Sequence, residues 1–273
     1  QFGYDLTLAA KWGRTELCVA REKEMNEIFE TLTAGSNGII LTGPDGIGKK
    51  TMIQGLARAM VKEQVPEFMQ DKRLVEVDVA RLISGADPAQ AEKRLLTALD
   101  EVLKAQNILL YIRNIENIIG ISPGGEQSME LSEVLADALD RYNIYCFSTA
   151  TDNNFTQYIE ENALGKQMAR VKIKEPSGNQ AIHIVESKMG RLEAKFGIFY
   201  TYNAIEEAIK LSSNYIHDKH QPTKALQVLE KSGASVAKNC GKKETCLCSK
   251  ENIRQEIEKM TDIPAKKVEE EEG

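Results

Sequence analysis

Along this chain, short wholly apolar runs alternate with longer stretches whose apolar residues recur every three or four positions. Residues 38–42, Gly-Ile-Ile-Leu-Thr, form a run without polar interruption, the pattern of a strand buried on both faces. Residues 74–79, 107–112, 144–148 and 171–173 predict further strands. Between them, residues 51–63 place Met52, Leu56, Ala59 and Met60 on one helical side. Residues 89–104 do the same with Leu95, Leu96, Leu99 and Leu103, and a third helix is predicted over 129–141. Strands spaced by helices predict βαβ units and a parallel sheet covered on both faces.

After Glu175-Pro176-Ser177-Gly178 the strand signal stops. Residues 180–195, 202–215, 223–237 and 249–260 all read as amphipathic helices, with no strong strand between them. The expected organisation is an α/β domain over 1–175, a small helical domain over 176–264 and an acidic, solvated tail over 265–273. No internal repeat is visible.

Composition narrows the class. Hydrophobic residues make up 42% and charged residues 28% of the 273, the balance of a globular chain. A net charge of -6 argues against a nucleic-acid partner held by a bulk basic surface. No apolar run approaches the roughly 20 residues of a membrane-spanning helix. The opening segment lacks the basic start and apolar core of a signal peptide, and Gln1 in place of Met predicts a piece of a longer chain. The five cysteines are an odd count, and Cys18 and Cys146 stand isolated among apolar residues. A reduced, cytoplasmic protein is expected. Cys240, Cys246 and Cys248 have neither zinc-finger spacing nor a nearby His pair to complete it, so they read as free thiols in a loop. His217 and His220 precede Pro222 in a polar turn and read as a solvated pair without a third ligand.

The strongest chemical signal is Gly43-Pro44-Asp45-Gly46-Ile47-Gly48-Lys49, which matches G-x-x-x-x-G-K between a predicted strand and a predicted helix. Glycines let backbone N–H groups turn toward phosphate oxygens, the helix start adds positive potential, and Lys49 is the cation for the β- and γ-phosphates. The next position usually carries Ser or Thr as a Mg2+ ligand. Here it is Lys50, and the hydroxyl arrives one place late, at Thr51. One position rotates a side chain by roughly 100° about the helix, so the Thr51 hydroxyl is expected to point away from a metal.

With those residues in view, the chain resembles the first ATPase domain of Clp/ClpB-type AAA+ unfoldases. Asp5-Leu6-Thr7, Arg21-Glu22-Lys23-Glu24, Gly55-Leu56-Ala57, Val65-Pro66-Glu67 and Lys72-Arg73-Leu74 run in that family's order. So do Tyr158-Ile159-Glu160, Pro222-Thr223-Lys224-Ala225-Leu226 and Ile263-Pro264. The resemblance implies a P-loop AAA+ fold: a large α/β domain with a parallel sheet between helices, plus a small all-helical lid. It implies ATP or ADP as ligand, with Cys18 and Val19 beside the adenine and Thr223 near the nucleotide. Thr151 keeps a polar sensor position. It also implies a homo- or hetero-oligomeric ring, hexameric in the family, with a protein client or Clp-like partner, and neither nucleic acid nor membrane.

The departures bear on chemistry. After the strand around 108–112 the family has Asp-Glu, the first for Mg2+ and the second for the attacking water; this chain has Arg113-Asn114. Arg accepts no hydrogen bond, and a neutral amide is a very poor base. Continued strand geometry would place Glu116 on the Asn114 side, about 7 Å farther along. Lys166-Gln167 fall where the family's arginine fingers stand, and Lys lacks the planar fork; Arg170 falls on the following strand. The segment 85–91, in the place of the pore loop, carries no aromatic residue. Lys50 and Arg113 would face each other where one Mg2+ would sit, either standing in for it or turning to solvent. Mg2+ is thus left without its usual ligands. Three readings stay open: a nucleotide-binding module that hydrolyses little or nothing and serves assembly or regulation, an active Clp-like ATPase for unfolding or disaggregation that uses Glu116 or a neighbour's residue, and a scaffold that binds no nucleotide.

Overall fold

The computed structural model describes residues 3–121, 130–240 and 246–261. The chain divides into two compact units. One is Gln1–Gly43 with Lys49–Ile173, and the other is Pro44–Gly48 with Lys174–Gly273.

The first unit holds a six-stranded sheet. Its strands are β1 (Gly3–Asp5), β2 (Gly38–Thr42), β3 (Arg73–Val77), β4 (Ile108–Ile112), β5 (Cys146–Ala150) and β6 (Ala169–Lys172), in the spatial order β1-β3-β4-β5-β2-β6. All neighbours run parallel except β1, which pairs antiparallel with β3. Every residue of β2 and β5 is buried, Ser148 and Thr149 of β5 included, as befits central parallel strands covered on both faces. The helices are α1 (Leu6–Lys11), α2 (Glu22–Thr33), α3 (Lys49–Val61), α4 (Val79–Ile83), α5 (Pro88–Ala105), α6 (Leu131–Tyr142), α7 (Asp152–Asn154), which runs on into a π-turn at Phe155–Ile159, and α8 (Ala163–Gln167). Leu110 and Ile112 of β4 face one way, into a core with Leu95 and Leu99 of α5 and Leu135 and Leu139 of α6. By strand alternation Leu109 and Tyr111 face the other way.

Several boundaries differ from the sequence expectation. The strand expected over 144–148 runs instead over Cys146–Ala150, extended at its end because Thr149 and Ala150 pair with Leu41 and Thr42 of β2. That expected over 74–79 ends at Val77, and Val79 opens α4. The last strand starts at Ala169, two residues before the apolar pair that marked it. Of the helix expected over 129–141, Met129 lies outside the described residues, as do Ile263-Pro264 and the tail 265–273. In the expected pore-loop segment, Pro88 already opens α5. Asp87 caps it, its carboxylate accepting from the Gln90 N–H at 2.8 Å. The Arg94 guanidinium then donates to the carbonyls of Leu82 (2.8 Å), Ser84 (3.0 Å) and Arg81 (3.3 Å), which pins the chain between α4 and α5.

The second unit carries α9 (Gly178–Phe196), α10 (Tyr202–Tyr215), α11 (Thr223–Asn239) and α12 (Lys250–Thr261) around Val185, Ile205, Ala208, Val228, Leu229, Ile253 and Ile257. Two short parallel strands, β7 (Phe199–Tyr200) and β8 (Leu247–Cys248), stand where no strand was expected. Two residues are too few to show a period of two. The expectation of free thiols in a loop is corrected for Cys240 and Cys246, whereas Cys248 is a free thiol but lies on β8. Cys240 and Cys246 form a disulfide, and Cys248 is fully buried on β8 with its thiol 3.5 Å from Ser232 Oγ. Spacing alone does not reveal that the end of α11 and the start of β8 converge.

Candidate functional site

The sequence folds locally into a strand–loop–helix at the phosphate motif. β2 ends at Thr42, and α3 begins at Lys49. Gly46 and Gly48 hold φ of 78° and 105°, backbone conformations that L side chains adopt only under strain. Ile47 between them is buried and anchors the loop, while Pro44 is half-buried and Asp45 is exposed. Lys49 is itself buried, and its Nζ donates to the Gly43 carbonyl at 2.6 Å. The Gly46 carbonyl accepts from Thr223 Oγ1 at 2.7 Å. The loop thus carries Gly46 and Gly48 at positive φ and leads into a helix whose first residue is a buried cation, features that suit polyphosphate.

Lys50 is exposed. The Thr51 hydroxyl donates to Glu16 Oε2 at 3.0 Å, and the Glu16 N–H donates to Gln54 Oε1 at 3.0 Å. The segment before α2 is thereby fastened to the flank of α3. Cys18 and Val19, in that segment, are half-buried. Cys18 lies so close to α3 that a Cβ at Gly55 would overlap its own Cβ. A cavity of about 300 Å3 opens beside it, lined by Leu17, Cys18, Met25, Phe29, Gly55 and Arg58 among others.

The positions expected to activate water lie at the end of β4. Arg113 is exposed, with Nε 4.0 Å from Glu76 Oε1 on β3. In the sheet, β3 lies on the opposite side of β4 from β5 and from β2, which leads into the phosphate loop. The ion partner of Arg113 thus pulls it away from Lys50, against the expectation that the two cations face each other. Asn114 adopts φ 53°, ψ 65°, and its N–H donates to Thr149 Oγ1 at 3.1 Å. The strand does not continue to Glu116, as the sequence geometry assumed; a 3-10 turn at Ile115–Ile118 takes over. Glu116 Oε1 accepts from Asn154 Nδ2 at 2.7 Å, and Oε2 is buried without a hydrogen-bond partner among the described residues. Below them Tyr111 is fully buried, and burial pushes its phenol up to about 12.

Thr151 stands just past β5. Its hydroxyl accepts from the Asn154 N–H at 3.1 Å and caps α7. Lys166 is exposed on α8, and Gln167 Nε2 lies 3.5 Å from both Asn37 Oδ1 and Asp140 Oδ1. Arg170, on β6, donates to Thr42 Oγ1 (2.9 Å) and Asp152 Oδ1 (2.7 Å), with its guanidinium 4.3 Å from the Phe155 ring centre. It is consumed within its own unit.

In the second unit, His220 is not simply solvated as expected: its Nδ1 lies 2.9 Å from Glu175 Oε2. Glu175 Oε1 accepts from the Gln221 N–H at 2.7 Å and lies 3.4 Å from Lys224 Nζ. Partial burial raises the Glu175 carboxyl, but these donors outweigh it and hold the group below its usual range. Sequence reasoning missed Glu16, Glu76, Asn154 and Glu175. Each acts through a partner distant in sequence, and none carries a local signal.

Comparison with known proteins gives the fold its relatives. Residues 39–175 match the family model "ATPase family associated with various cellular activities (AAA)", and residues 177–273 match "AAA lid domain". ClpC/MecB of Bacillus subtilis, a negative regulator of genetic competence, is 32% identical over 235 residues, covering 85% of this chain and 29% of the relative. The ATP-binding subunit ClpC of the ATP-dependent Clp protease of Staphylococcus aureus is 32% identical over 259 residues, 94% of this chain and 31% of that protein. The chain therefore spans under a third of the length of these curated relatives. A solved structure of the Saccharomyces cerevisiae Hsp104–ADP complex superposes with a TM-score of 0.87 at 25% identity, over 98% of this chain and 46% of that one. Hsp104 with ATPyS and FITC casein gives 0.86 over 96%. With the P-loop sheet, the helical unit and these matches together, the chain belongs to the AAA family as a Clp-type AAA+ ATPase domain with its lid.

Proposed function

We propose that this chain is a nucleotide-binding module of a Clp-like chaperone or unfoldase assembly, binding ATP or ADP with little or no hydrolysis and serving assembly or regulation. It comprises a nucleotide-binding large domain over 1–175 and a lid over 176–264. One observation carries the reading: at the end of β4, Arg113 and Asn114 stand where a base would be needed, and the next carboxylate, Glu116, is bonded to Asn154. General-base assistance typically contributes about 10²–10⁴-fold, so its loss alone makes turnover negligible. The exposed Lys166 adds to this, since a trans arginine is worth roughly 10³-fold or more in phosphoryl transfer. The nucleotide contacts fall to residues 44–51, to Cys18 and Val19 beside the base, and to Thr151 and Thr223 nearby.

The similarity to ClpC and Hsp104 supports a homo- or hetero-oligomeric ring of such modules acting with a protein client in the cytoplasm. A phosphate-release assay on purified protein tests the enzymatic part. No release above a Lys49→Ala control is expected, and Lys49-dependent turnover sinks the reading.

An active Clp-like ATPase is the second reading, favoured by the buried, unpartnered Glu116 Oε2. It requires Glu116→Gln to abolish any Lys49-dependent turnover found.

A further inference from the structure

AAA family membership implies Mg2+ beside the nucleotide, and the donor set here does not fit it. Mg2+ demands near-octahedral oxygen ligands and is usually held by one or two carboxylates or hydroxyls together with substrate phosphates. At this site the position after Lys49, which would supply a hydroxyl, is Lys50, exposed and cationic. The hydroxyl one place on, Thr51 Oγ1, is turned to Glu16 and bonded to it at 3.0 Å. The strand-end position that would supply a carboxylate is Arg113. Glu76 stands on β3, on the far side of β4 from β2 and its phosphate loop. Asp152, past the end of β5, is bonded to Arg170 at 2.7 Å and lies 3.8 Å from Lys172. Among the described residues, no group of three or more His, Cys, Asp or Glu is placed to hold a metal ion.

The cations are arranged differently. Ile112 of β4 pairs with Ser148 of β5, and Leu41 of β2 pairs with Thr149. Arg113 therefore stands level with Leu41 across one intervening strand, about 10 Å away in the sheet. Gly43, whose carbonyl holds the Lys49 ammonium, is two residues past Leu41. Arg113 is 54% exposed in its side chain, and its Glu76 contact is at the limit of ion pairing. A guanidinium so loosely held can be drawn to a phosphate, where its fork makes two charge-assisted hydrogen bonds.

Granting the nucleotide-binding reading on which this rests, we infer that the site binds ADP and ATP without Mg2+. The fixed charges of Lys49, Lys50 and Arg113 neutralise the phosphates in place of the metal, with Arg113 exchanging Glu76 for phosphate on binding. Free nucleotide, rather than its magnesium complex, is then the ligand. No bond is made or broken.

Calorimetric titration of the intact chain with ADP, once in excess EDTA and once in excess MgCl2, is the test. Dissociation constants agreeing within about threefold are expected, and Arg113→Ala should weaken binding in EDTA by about tenfold or more, since each of the two charge-assisted hydrogen bonds lost is worth about that factor at least. The double substitution Lys50→Thr with Arg113→Asp restores the hydroxyl and carboxylate. It should make binding tighter in MgCl2 than in EDTA by about tenfold or more, with thermal unfolding confirming that it folds. Binding by the unaltered chain that collapses in EDTA overturns the metal-free inference and leaves the nucleotide-binding reading standing. Binding in neither buffer overturns both.

Discussion

Lys49 is only 8% exposed, and its ammonium rests on the Gly43 carbonyl at 2.6 Å, so one side chain both closes the loop and sets a positive charge at its base. Lys49→Ala should weaken ADP binding by about tenfold or more in calorimetry, since a hydrogen bond to a charged group is worth roughly 1.5–3 kcal/mol. Gly55 argues the other way about side chains. Alanine is favoured over glycine in a helix by about 1 kcal/mol. Here the added Cβ would overlap the Cys18 Cβ, which no rotamer change relieves. Gly55→Ala should therefore destabilise the chain by about 1–3 kcal/mol in denaturant unfolding, the range for overpacking. Adding Cys18→Gly should recover most of that loss. Cys146, fully enclosed and with its thiol pushed up to about 12 by burial, should resist alkylation in the native state at neutral pH and react only on unfolding. Mass spectrometry of the labelled peptides reads this directly. None of these contacts is visible in sequence, because each joins residues that only folding brings within reach.

At the scale of elements, the segment from Glu175 through the start of α11 is tied by one carboxylate to His220, the Gln221 N–H and Lys224. The folded Glu175 carboxyl titrates below its unfolded value of 4.5, so its contribution is fully present above that pH and is lost as pH falls through the lower folded value. Glu175→Gln should lower Tm by on the order of 1–2 °C at neutral pH, with the difference closing in acid; a gap that persists at low pH refutes this assignment. The disulfide closes a loop of sequence separation 6, for which chain entropy gives about 2 kcal/mol. Reducing it should lower the unfolding free energy by that order, and Cys240→Ser should reproduce the loss without further effect of reductant. The central strands and the four helices of the second unit were legible from periodicity, because long, wholly apolar or amphipathic runs report burial directly. β1, β7, β8 and α2 were not. The strands have two or three residues, and α2 buries only Ile28 and Leu32 beneath a charged exterior.

For the molecule as a whole, ligand binding is read as stability. If ADP binds the native state alone, nucleotide at about 100 times its dissociation constant should raise the unfolding free energy by about 2.7 kcal/mol, visible as a Tm increase that Lys49→Ala abolishes. The sequence by itself determined the parallel sheet, the helical second unit and the phosphate loop, since apolar periodicity and glycine placement are local properties that the chain carries before folding. That Arg113 and Asn114 follow β4 is likewise carried by the sequence, because residue identity needs no coordinates. Tertiary structure decided the rest: that Thr51 bonds Glu16, that Arg113 leans to Glu76 rather than toward Lys50, that Glu116 is held by Asn154, and that Cys240 meets Cys246. The physical reason is common to all four. A charged, polar or thiol side chain takes whichever partner the fold brings within a few ångströms, and that partner lies at no fixed distance along the chain.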